Sequence, residues 1–423
     1  MYFKLNQKLK YTMQNTTILS NLLHFIPRHK FNRFVKKYDC DKYSKVFTMH
    51  DHFVSMLYGV ISQSSSLRRL ESSYNSNYDS FITLKTRSIS KSRMGVINNK
   101  DKTVKLYYDV FQHLLSMAIN KDKLCKKEYL ETDKLVNLID SSEIKLNSKS
   151  RKIYPSKNAK DGSHIKVHVV TDYAKDIPKE VYFSEHNVND ITVAKKLINI
   201  TANQIYVFDR GYYDFQWWKK IDDAGSLFVT RLKKNSPCNN PKVHNSKFQD
   251  KNIISDTTFT LNKRLAKTRK NPYRKRLREV KVKDEYGNIL RLVTNDFSSS
   301  SETISKLYKA RWNIELFFKW IKQNLKIKKF YSYSKNGIKV QILIAMIAYL
   351  LLKLMKNNIS IKQNFVHFVT ICKNNLMKKI QNIMFLFFKP PEQYQYYNYL
   401  QKQKIKKLDI KCQNQLTLKF TGH

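Results

Sequence analysis

The stretch Gln204–Leu232, "QIYVFDRGYYDFQWWKKIDDAGSLFVTRL", decides the fold. Its first six residues form an apolar run that ends at Asp209, and its last seven form a second apolar run; both are typical of buried strands. Between them the pattern predicts a helix that ends at Gly225, because glycine is favoured just beyond helix C-termini. We therefore expect a strand, a helix and a strand here.

Upstream of this unit the pattern predicts three strands and one helix. The strands are "KLVNLID", which ends at Asp140, "SHIKVHVVTD" and "KEVYFSEHN", and the helix is "NDITVAKKLINI". Three strands, a helix, a strand, a helix and a strand is the element order of the RNase H-like fold, an α/β class. The next element of that fold would be a helix that carries an acid.

That helix is delayed by residues 233–300, which we interpret as an inserted β-rich unit. A hairpin turn is predicted at Tyr286–Asn288, between "REVKV" and "NILRLVTND". Within the insertion, Lys263–Arg278 holds nine basic residues and no acid. This run is either a solvated loop or an arm that contacts phosphates, and the sequence leaves both alternatives open.

The remainder of the chain divides by composition. Residues 16 to about 130 carry apolar residues at three- and four-residue spacing, which predicts an all-α N-terminal domain. The apolar run Ile342–Leu352 has 11 residues, too few for the ~20 that span a bilayer, so we expect a buried core helix and no membrane association. The predicted domains are 1–130 (helical, DNA-binding or leader), 131–232 and 301–358 (two parts of the core), 233–300 (insertion) and 359–423 (basic tail).

The charge of the chain points to a polyanionic partner. Lys and Arg number 79 against 33 acids, a formal net charge of +46, and basic contacts to phosphates dominate non-specific nucleic-acid affinity. The chain also has only 8 Gly, against roughly 30 at average usage. An AT-rich coding genome would impose that bias and would inflate lysine everywhere, so the sign of the charge is more informative than its size.

The cysteines argue against a zinc site or a disulfide framework. The five cysteines are scattered, without a CxxC pair or a nearby His partner. This usage fits a reducing cytoplasm, and we expect a cytoplasmic protein. The first residues, "MYFKLNQKLKYTMQNTT", lack the apolar core of a signal peptide.

The expected acid-bearing helix is "YKARWNIELFFKWIK", Tyr308–Lys322. At about 100° per residue, Tyr308, Arg311, Glu315 and Lys322 fall on one narrow ridge beside an apolar stripe. The plainest explanation is a surface ladder in which Arg311 and Glu315 form an i,i+4 ion pair. The rest of the chain offers a second explanation.

Asp140 and Asp209 each end a hydrophobic strand, where an unpaired carboxylate is unfavourable. In the RNase H-like order the first and fourth strands are neighbours, so these two carboxylates would be close, and the later helix could add Glu315. Like charges gather only where cations hold them, and an all-oxygen set favours two Mg²⁺ or Mn²⁺ ions. The alternative for each Asp alone is that it caps the turn that follows.

The other ridge residues suit a phosphate beside such ions. Arg311 and Lys322 could hold phosphate oxygens, and Tyr308 could stack on a base or donate to a phosphate. In "HNVND", His186–Asp190, a metal site is the less favoured interpretation; we predict the N-terminal cap of the next helix.

With these motifs in place, the chain resembles the DDE transposases of bacterial insertion sequences, specifically the insertion sequence 4 family. That family carries a Tyr-(2)-Arg-(3)-Glu-(6)-Lys signature, matched here by Tyr308, Arg311, Glu315 and Lys322. The Asp-Arg-Gly-Tyr run from Asp209 and the "LIDSSEIKL" stretch are similar to its two Asp regions, although members read Asp-Ser-Thr at the first acid. The N-terminal helical segment resembles a leader found on many members.

The resemblance implies an RNase H-like core with a β-rich insertion, divalent metal, and cut-and-paste DNA movement through a hairpin end. Asp140, Asp209 and Glu315 would be the catalytic metal ligands, and Tyr308, Arg311 and Lys322 would grip the DNA end. The partners would be terminal inverted repeats and target DNA, bound by a homodimer in a synaptic complex. The alternatives are a decayed, non-catalytic DNA-binding copy and an RNase H-like structure-specific nuclease.

Overall fold

The computed structural model of the 423-residue chain describes residues 16–119, 130–155, 163–263, 271–325, 329–359, 363–383 and 386–387. The described residues fall into two compact units. Of these described residues, the larger unit holds those within 26–78 and 86–351, and the smaller unit holds 16–25, 79–85, 352–359, 363–383 and 386–387.

The larger unit is built on a nine-stranded sheet in the order β3-β2-β1-β4-β5-β9-β8-β7-β6. The first five strands are β1 (Leu135–Leu146), β2 (Ser163–Asp172), β3 (Ile177–Glu185), β4 (Gln204–Phe208) and β5 (Leu227–Arg231). Strands β1, β2 and β3 form an antiparallel meander, while β4 and β5 continue parallel to β1. This is the RNase H-like sheet, and the predicted α/β fold class is confirmed.

Helices α8 (Asp190–Leu197) and α9 (Phe215–Asp223) connect β3 to β4 and β4 to β5. Strand β4 is buried along its whole length and β5 at its three central residues, and they pack into an apolar core in which Trp217 and Trp218 are fully buried beside Phe228. The predicted helix that follows β4 is shorter than expected: a single 3₁₀ turn, Arg210–Tyr212, comes first, and α9 begins only after the cap residue Asp214.

The insertion extends the same sheet instead of forming a separate layer. It contributes β6 (Asn239–Asn245), β7 (Ile253–Thr260), β8 (Leu277–Lys283) and β9 (Ile289–Thr294), all antiparallel, with β9 paired to β5. The predicted hairpin joins β8 to β9, and Gly287 there has φ of +83°, a conformation that favours glycine. The predicted β-rich insertion is therefore present.

The basic run within the insertion is only partly accessible. Residues 264–270 lie outside the described residues, and Arg278 is a buried core residue that is 1% exposed. Its guanidinium is paired with Asp256 at 2.6 Å, and its Nη1 donates to the carbonyls of Asp296 and Ser299. Neither a solvated loop nor a phosphate arm describes Arg278, because a charge this buried must be paired within the protein.

Helices dominate the residues before β1, as predicted. In the larger unit they are α2 (Arg28–Lys37), α3 (Met49–Ile61), α4 (Leu67–Asn75), α6 (Lys91–Asn98) and α7 (Asp101–Ile119). A capping box starts α3, in which Thr48 and Asp51 bond each other's backbone N–H groups. The side chain of His52 is fully buried and bonds to Tyr107 and Asn98.

The smaller unit contains α1 (Ile18–Leu23), α5 (Phe81–Leu84) and α13 (Phe365–Asn374). An isolated antiparallel bridge joins Thr17 to Lys379, and the N–H of Leu19 donates to the carbonyl of Leu376. The predicted tail thus includes one helix, while residues 388–423 lie outside the described residues.

After the insertion come α10 (Ser301–Ala310), α11 (Trp312–Asn324) and α12 (Lys335–Asn358). The predicted ridge helix is two helices that meet at Arg311, which keeps helical φ and ψ of −52° and −33°. Helix α12 is the one described helix long and apolar enough to cross a membrane, but 89% of its most apolar stretch is buried in the protein. That burial is what a core helix requires, as predicted.

Candidate active site

Asp140 and Asp209 lie at the same edge of the sheet. The parallel pairing of β1 with β4 ends at Ile139 opposite Phe208, so the next residue on each strand is one of the two aspartates. On its other side β1 runs on past Asp140 to Leu146, still paired with β2. The prediction that Asp140 ends its strand is therefore wrong. Asp140 lies within β1, at the point where the neighbouring strand β4 ends.

Asp209 also makes the contact expected of a capping residue. Its Oδ1 accepts from the N–H of Gly211 at 2.8 Å, which caps the 3₁₀ turn after β4. Capping and proximity to Asp140 are compatible, because a carboxylate has further lone pairs. The sequence presented capping and metal binding as alternatives; the structure contains the cap, and the metal-binding role stays a prediction.

Glu315, in the first turn of α11, is linked to Asp140 through Arg311. Arg311 Nη2 lies 2.6 Å from Glu315 Oε1, and its Nη1 lies 3.9 Å from Asp140 Oδ2. The three side chains are only 16–34% exposed, so this is not the surface ladder of the plainest explanation. One guanidinium lies between two carboxylates of the predicted metal site.

Asp140 carries the electrostatic signature of this crowding. Burial raises the pKa of Asp140 to about 7, with repulsion from Asp209 and Glu315 adding to the rise. The N–H of Ser141 and the nearby Arg311 lower the pKa of Asp140 again, but not enough to offset the burial. A carboxyl held near neutral pKa in a cleft is a candidate for function.

The three predicted DNA-contacting residues have different surroundings. The Nε of Arg311 is buried and has no hydrogen-bond partner among the residues that the structure describes. Its guanidinium stacks over Tyr308, 5.7 Å from the ring centroid. Tyr308 is only 8% exposed, so a base reaches its ring only if the side chain moves. Lys322 Nζ donates to Ser142 Oγ at 2.7 Å on β1. Their contacts with DNA stay a prediction.

A cleft of about 480 Å³ opens over this edge. Asp140 and Glu315 lie in its wall together with Lys322 from the far end of α11. The cleft is thus acidic at one end and basic at the other, which suits a phosphate bridged to a cation.

Asp190 supports the same edge and was missed as a site residue. The prediction that a helix begins here is correct, but Asn189, the cap residue, makes no side-chain cap bond. Asp190 Oδ1 instead accepts from Ser141 Oγ at 2.8 Å and pairs with Lys166 at 3.2 Å. An Asp in a first helical turn is ordinary, so only the fold could reveal this contact.

Gly211 lets the two acids approach the turn after β4. A Cβ at Gly211 would lie 3.0 Å from Asp209 Oδ1 and 3.1 Å from Asp190 Oδ2, closer than most real Cβ contacts. The phenol of Tyr212 is buried behind these groups, and burial together with the surrounding carboxylates raises the pKa of Tyr212.

The donor chemistry of the site fits a hard divalent cation, since Asp140, Asp209 and Glu315 supply only oxygen ligands. In the part of the chain that the structure describes, however, no three Asp, Glu, His or Cys side chains converge closely enough to hold a metal ion. Glu315 is turned to Arg311 instead. To join a metal, Glu315 would have to exchange the guanidinium for the cation.

The fold is an RNase H-like α/β core with acidic side chains at one edge of its sheet, and comparison with known families assigns the chain to one of them. The family described as "Transposase DDE domain" matches residues 131–351, more than half of the chain. This chain belongs to the DDE transposase family. Residues 14–82 match a family described as "Domain of unknown function (DUF4372)".

Individual proteins are similar over parts of the chain. "Putative transposase y4zB" of Sinorhizobium fredii is 37% identical over 45% of this chain and 53% of its own length. The chain thus spans about half the length of that relative. "Probable transposase for insertion sequence element IS5377" of Geobacillus stearothermophilus is 28% identical over 65% of this chain and 71% of its own length.

A third relative is "Putative transposase for insertion sequence element IS4SA" of Synechocystis, 32% identical over 36% of this chain and 41% of its own length. Among solved structures, a piggyBac transposase synaptic complex with hairpin DNA aligns with a TM-score of 0.45 and 12% identity. That alignment covers 92% of this chain and 86% of the other. The family match and the insertion-sequence relatives confirm the predicted resemblance to insertion-sequence transposases.

Proposed function

We propose that this chain is a DNA transposase that cleaves the ends of an insertion sequence and transfers the strand to target DNA. The observation that carries the proposal is the β1–β4 register, which sets Asp140 and Asp209 side by side, with Glu315 facing the same cleft. Family membership supports the reaction class, and the net charge of +46 supports a nucleic-acid substrate.

In this proposal Asp140, Asp209 and Glu315 are the ligands of divalent metal, Mg²⁺ or Mn²⁺, with two ions the arrangement we favour. When bound, such ions activate a water or a 3′-hydroxyl and stabilise the leaving oxygen of an in-line phosphoryl transfer. The remaining steps belong to the chain's own side chains.

Arg311 and Lys322 orient the DNA phosphate in the cleft. The orphaned Nε of Arg311 is an unused donor beside Asp140, and a guanidinium suits phosphate oxygens. The ring of Tyr308 packs against the Arg311 guanidinium, and the Lys322 ammonium donates to Ser142 Oγ on β1. Together these contacts would place the scissile phosphate against the carboxylates.

Asp190 is proposed as a positioning residue. Through Ser141 it holds the backbone next to Asp140, and through Gly211 it adjoins the Asp209 turn. Lys166 balances its charge. The metal edge would therefore be braced from behind by a fourth carboxylate that does not itself face the cleft.

The partners we propose are terminal inverted repeats and target DNA. A homodimer that pairs two ends in a synaptic complex follows from the reaction, because both ends of an element must be cut. The domain boundaries predicted from the sequence stay a proposal, as does association with the bacterial nucleoid.

A nicking assay with DNA that borders the gene tests the proposal. Wild-type protein with Mg²⁺ should nick that DNA at the junction with the element, and Asp140→Asn should not, although both should bind it. Binding by the wild type without nicking under any divalent ion would favour the non-catalytic alternative. Nicking of unrelated branched DNA at the same rate would favour the structure-specific nuclease.

A further inference from the structure

A second groove, of about 670 Å³, adjoins the acidic cleft. This volume is within the roughly 300–1,000 Å³ typical of ligand sites. Lys322 lines both spaces, so the groove continues from the place where the scissile phosphate is proposed to lie. Its walls are the end of β1 and the segment after α11, and they comprise Ser65, Glu143, Ile144, Lys145, Leu146, Asn147, Lys322, Lys329, Phe330 and Tyr333.

The charge of these walls is positive. The lining contains three lysines, Lys145, Lys322 and Lys329, and one acid, Glu143. The Oε1 of Glu143 lies 2.9 Å from His186 Nδ1. Three ammonium groups along one groove favour a polyanionic ligand. Because the groove adjoins the cleft in which the DNA phosphate is proposed to lie, that ligand would be DNA.

Tyr333 gives the groove an aromatic surface. Its side chain is 43% exposed, although Lys149 lies over one face at 5.4 Å and the Tyr333 carbonyl accepts from Ser150 Oγ at 3.1 Å. Phe330 lies in the same wall, half-buried. Exposed aromatic rings between lysines are the elements from which single-strand binding sites are built, because bases stack on the rings while lysines follow the backbone.

The segment that carries these rings is held in place from behind. The N–H of Tyr331 donates to Gln341 Oε1 at 2.9 Å, and its phenol donates to the carbonyl of Ser64 at 3.0 Å. The fully buried Gln341 also donates to the carbonyl of Lys329 at 3.1 Å. The ring of Tyr333 is therefore presented by an anchored segment, which lowers the entropic cost of stacking.

We propose that this groove binds a single DNA strand that extends beyond the scissile phosphate, with a base stacked on Tyr333. The proposal rests on the proposed function only for the position of that phosphate. The strand could come from the DNA that flanks the element or from target DNA; the chemistry recognised, a phosphate backbone with accessible bases, is the same.

Photocross-linking with 5-iodouracil tests the proposal directly. One probe is a duplex of the DNA that borders the gene, ending in a 5-iodouracil-substituted single-stranded overhang; the other is an unrelated duplex with the same overhang. Full-length protein is irradiated in EDTA, so that no cleavage occurs, and the linked peptide is identified by mass spectrometry. We expect linkage to Tyr333 or Phe330.

The two probes distinguish the source of the strand. Linkage with the bordering DNA alone assigns the groove to the flanking strand, and linkage with the unrelated probe assigns it to target DNA. Linkage at neither ring with either probe would overturn the proposal.

Affinity measurements provide the matched control. The overhang should tighten binding over the blunt duplex by about fivefold or more, the equivalent of one stacked base. Tyr333→Ala should remove that gain, and Tyr333→Phe should keep it. Tyr43→Ala is the control, since Tyr43 is 90% exposed and also has a lysine, Lys42, 5.4 Å from its ring centroid. An unchanged gain in Tyr333→Ala would contradict the proposal.

The groove and the proposed reaction can fail separately. Cross-linking by a protein that never nicks DNA would refute the transposase activity and leave the groove standing. If the protein nicks DNA but the probe's overhang cross-links to neither Tyr333 nor Phe330, the groove proposal would be refuted and the transposase activity would stand.

Discussion

Arg311 Nη2 lies 2.6 Å from Glu315 Oε1, and the same guanidinium approaches Asp140. A cation of the protein thus occupies the space between two carboxylates that the proposed reaction assigns to metal. In the proposed reaction, Arg311 would balance the carboxylate charge before metal binds and would contact a phosphate after Glu315 turns to the metal ion.

Glu315→Gln should abolish DNA nicking and retain DNA binding. The amide keeps the shape and can still accept from Arg311, but it lacks the charge that a metal ligand requires. Gel-based nicking and a binding shift, run side by side, measure the two effects. Glu285→Gln is the control, because Glu285 forms an ion pair with Lys309 in which each side chain is 81% exposed. If the Glu315 pair were only a helix-surface contact, the variant would lose no more than ~0.5 kcal/mol of stability and would nick normally.

Gly211→Ala should reduce nicking with little loss of binding. The added Cβ would meet Asp209 Oδ1 at 3.0 Å and Asp190 Oδ2 at 3.1 Å, and displacement of a reacting group by about 1 Å can lower a rate ~10²-fold. Single-turnover nicking rates measure the effect. Gly95→Ala, in α6, is the matched control, because the added Cβ would lie 4.0 Å from Leu67 Cδ1 of α4, an ordinary van der Waals contact. Wild-type rates for Gly211→Ala would mean that Asp209 need not be held this tightly.

Asp256→Asn should destabilise the fold by about 3–5 kcal/mol, because it leaves the buried Arg278 charge uncompensated. Both side chains are at most 1% exposed, and Ser301 Oγ also donates to Asp256, at 2.6 Å, so the pair ties the insertion to the start of α10. Denaturant unfolding measures the loss. Lys309→Ala, at an exposed pair, should lose no more than about 1 kcal/mol. A comparably small loss in Asp256→Asn would refute the structural role.

The salt dependence of DNA binding should separate basic residues that contact phosphates from those that pair with acids. We replace four basic residues of the Lys263–Arg278 run by Gln and leave the buried Arg278 intact. This should flatten the slope of log K against log salt by roughly 0.9 for each phosphate contact removed. The four are Arg264, Lys267, Arg269 and Lys270.

The control removes the same charge at lysines that pair with acids, namely Lys37, Lys105, Lys219 and Lys309. Their replacement should change the slope less. Equal slopes for the two variants would return the insertion run to the solvated-loop interpretation.

Acid should destabilise the N-terminal helices through His52. Burial lowers the pKa of His52 to about 3 from its ordinary 6.5, so between these values the unfolded chain binds a proton that the folded chain excludes. Stability from this group is therefore present above pH 6.5 and is lost as pH falls toward 3, by about 1.4 kcal/mol per pH unit.

His52→Gln should weaken that dependence. Between pH 7.5 and 5 the variant should lose about 2 kcal/mol less than the wild type, measured by urea unfolding at both pH values. The wild type will be the more stable at neutral pH, because His52 bonds Tyr107 and Asn98. Parallel pH profiles for the two proteins would show that His52 is not buried neutral.

The sequence by itself determined the fold class and the β-rich insertion, and it singled out Asp140, Asp209 and Glu315, whose catalytic role stays a prediction. Apolar runs of strand and helix period set the order of elements, and that order is local information that short-range pattern can carry. The residues of the Tyr308–Lys322 ridge keep their helical spacing even though two helices meet at Arg311, because Arg311 has helical dihedral angles.

Only the tertiary structure decided which charges meet. That Arg278 is a core residue, that Tyr308 lies beneath Arg311, and that Asp190 braces Ser141 all depend on side chains brought together from distant parts of the chain. Charge and residue type are visible in a sequence, whereas burial and partner are properties of packing. A lysine or arginine run therefore predicts a polyanion, and the fold alone distinguishes the cations that face solvent from those the protein uses itself.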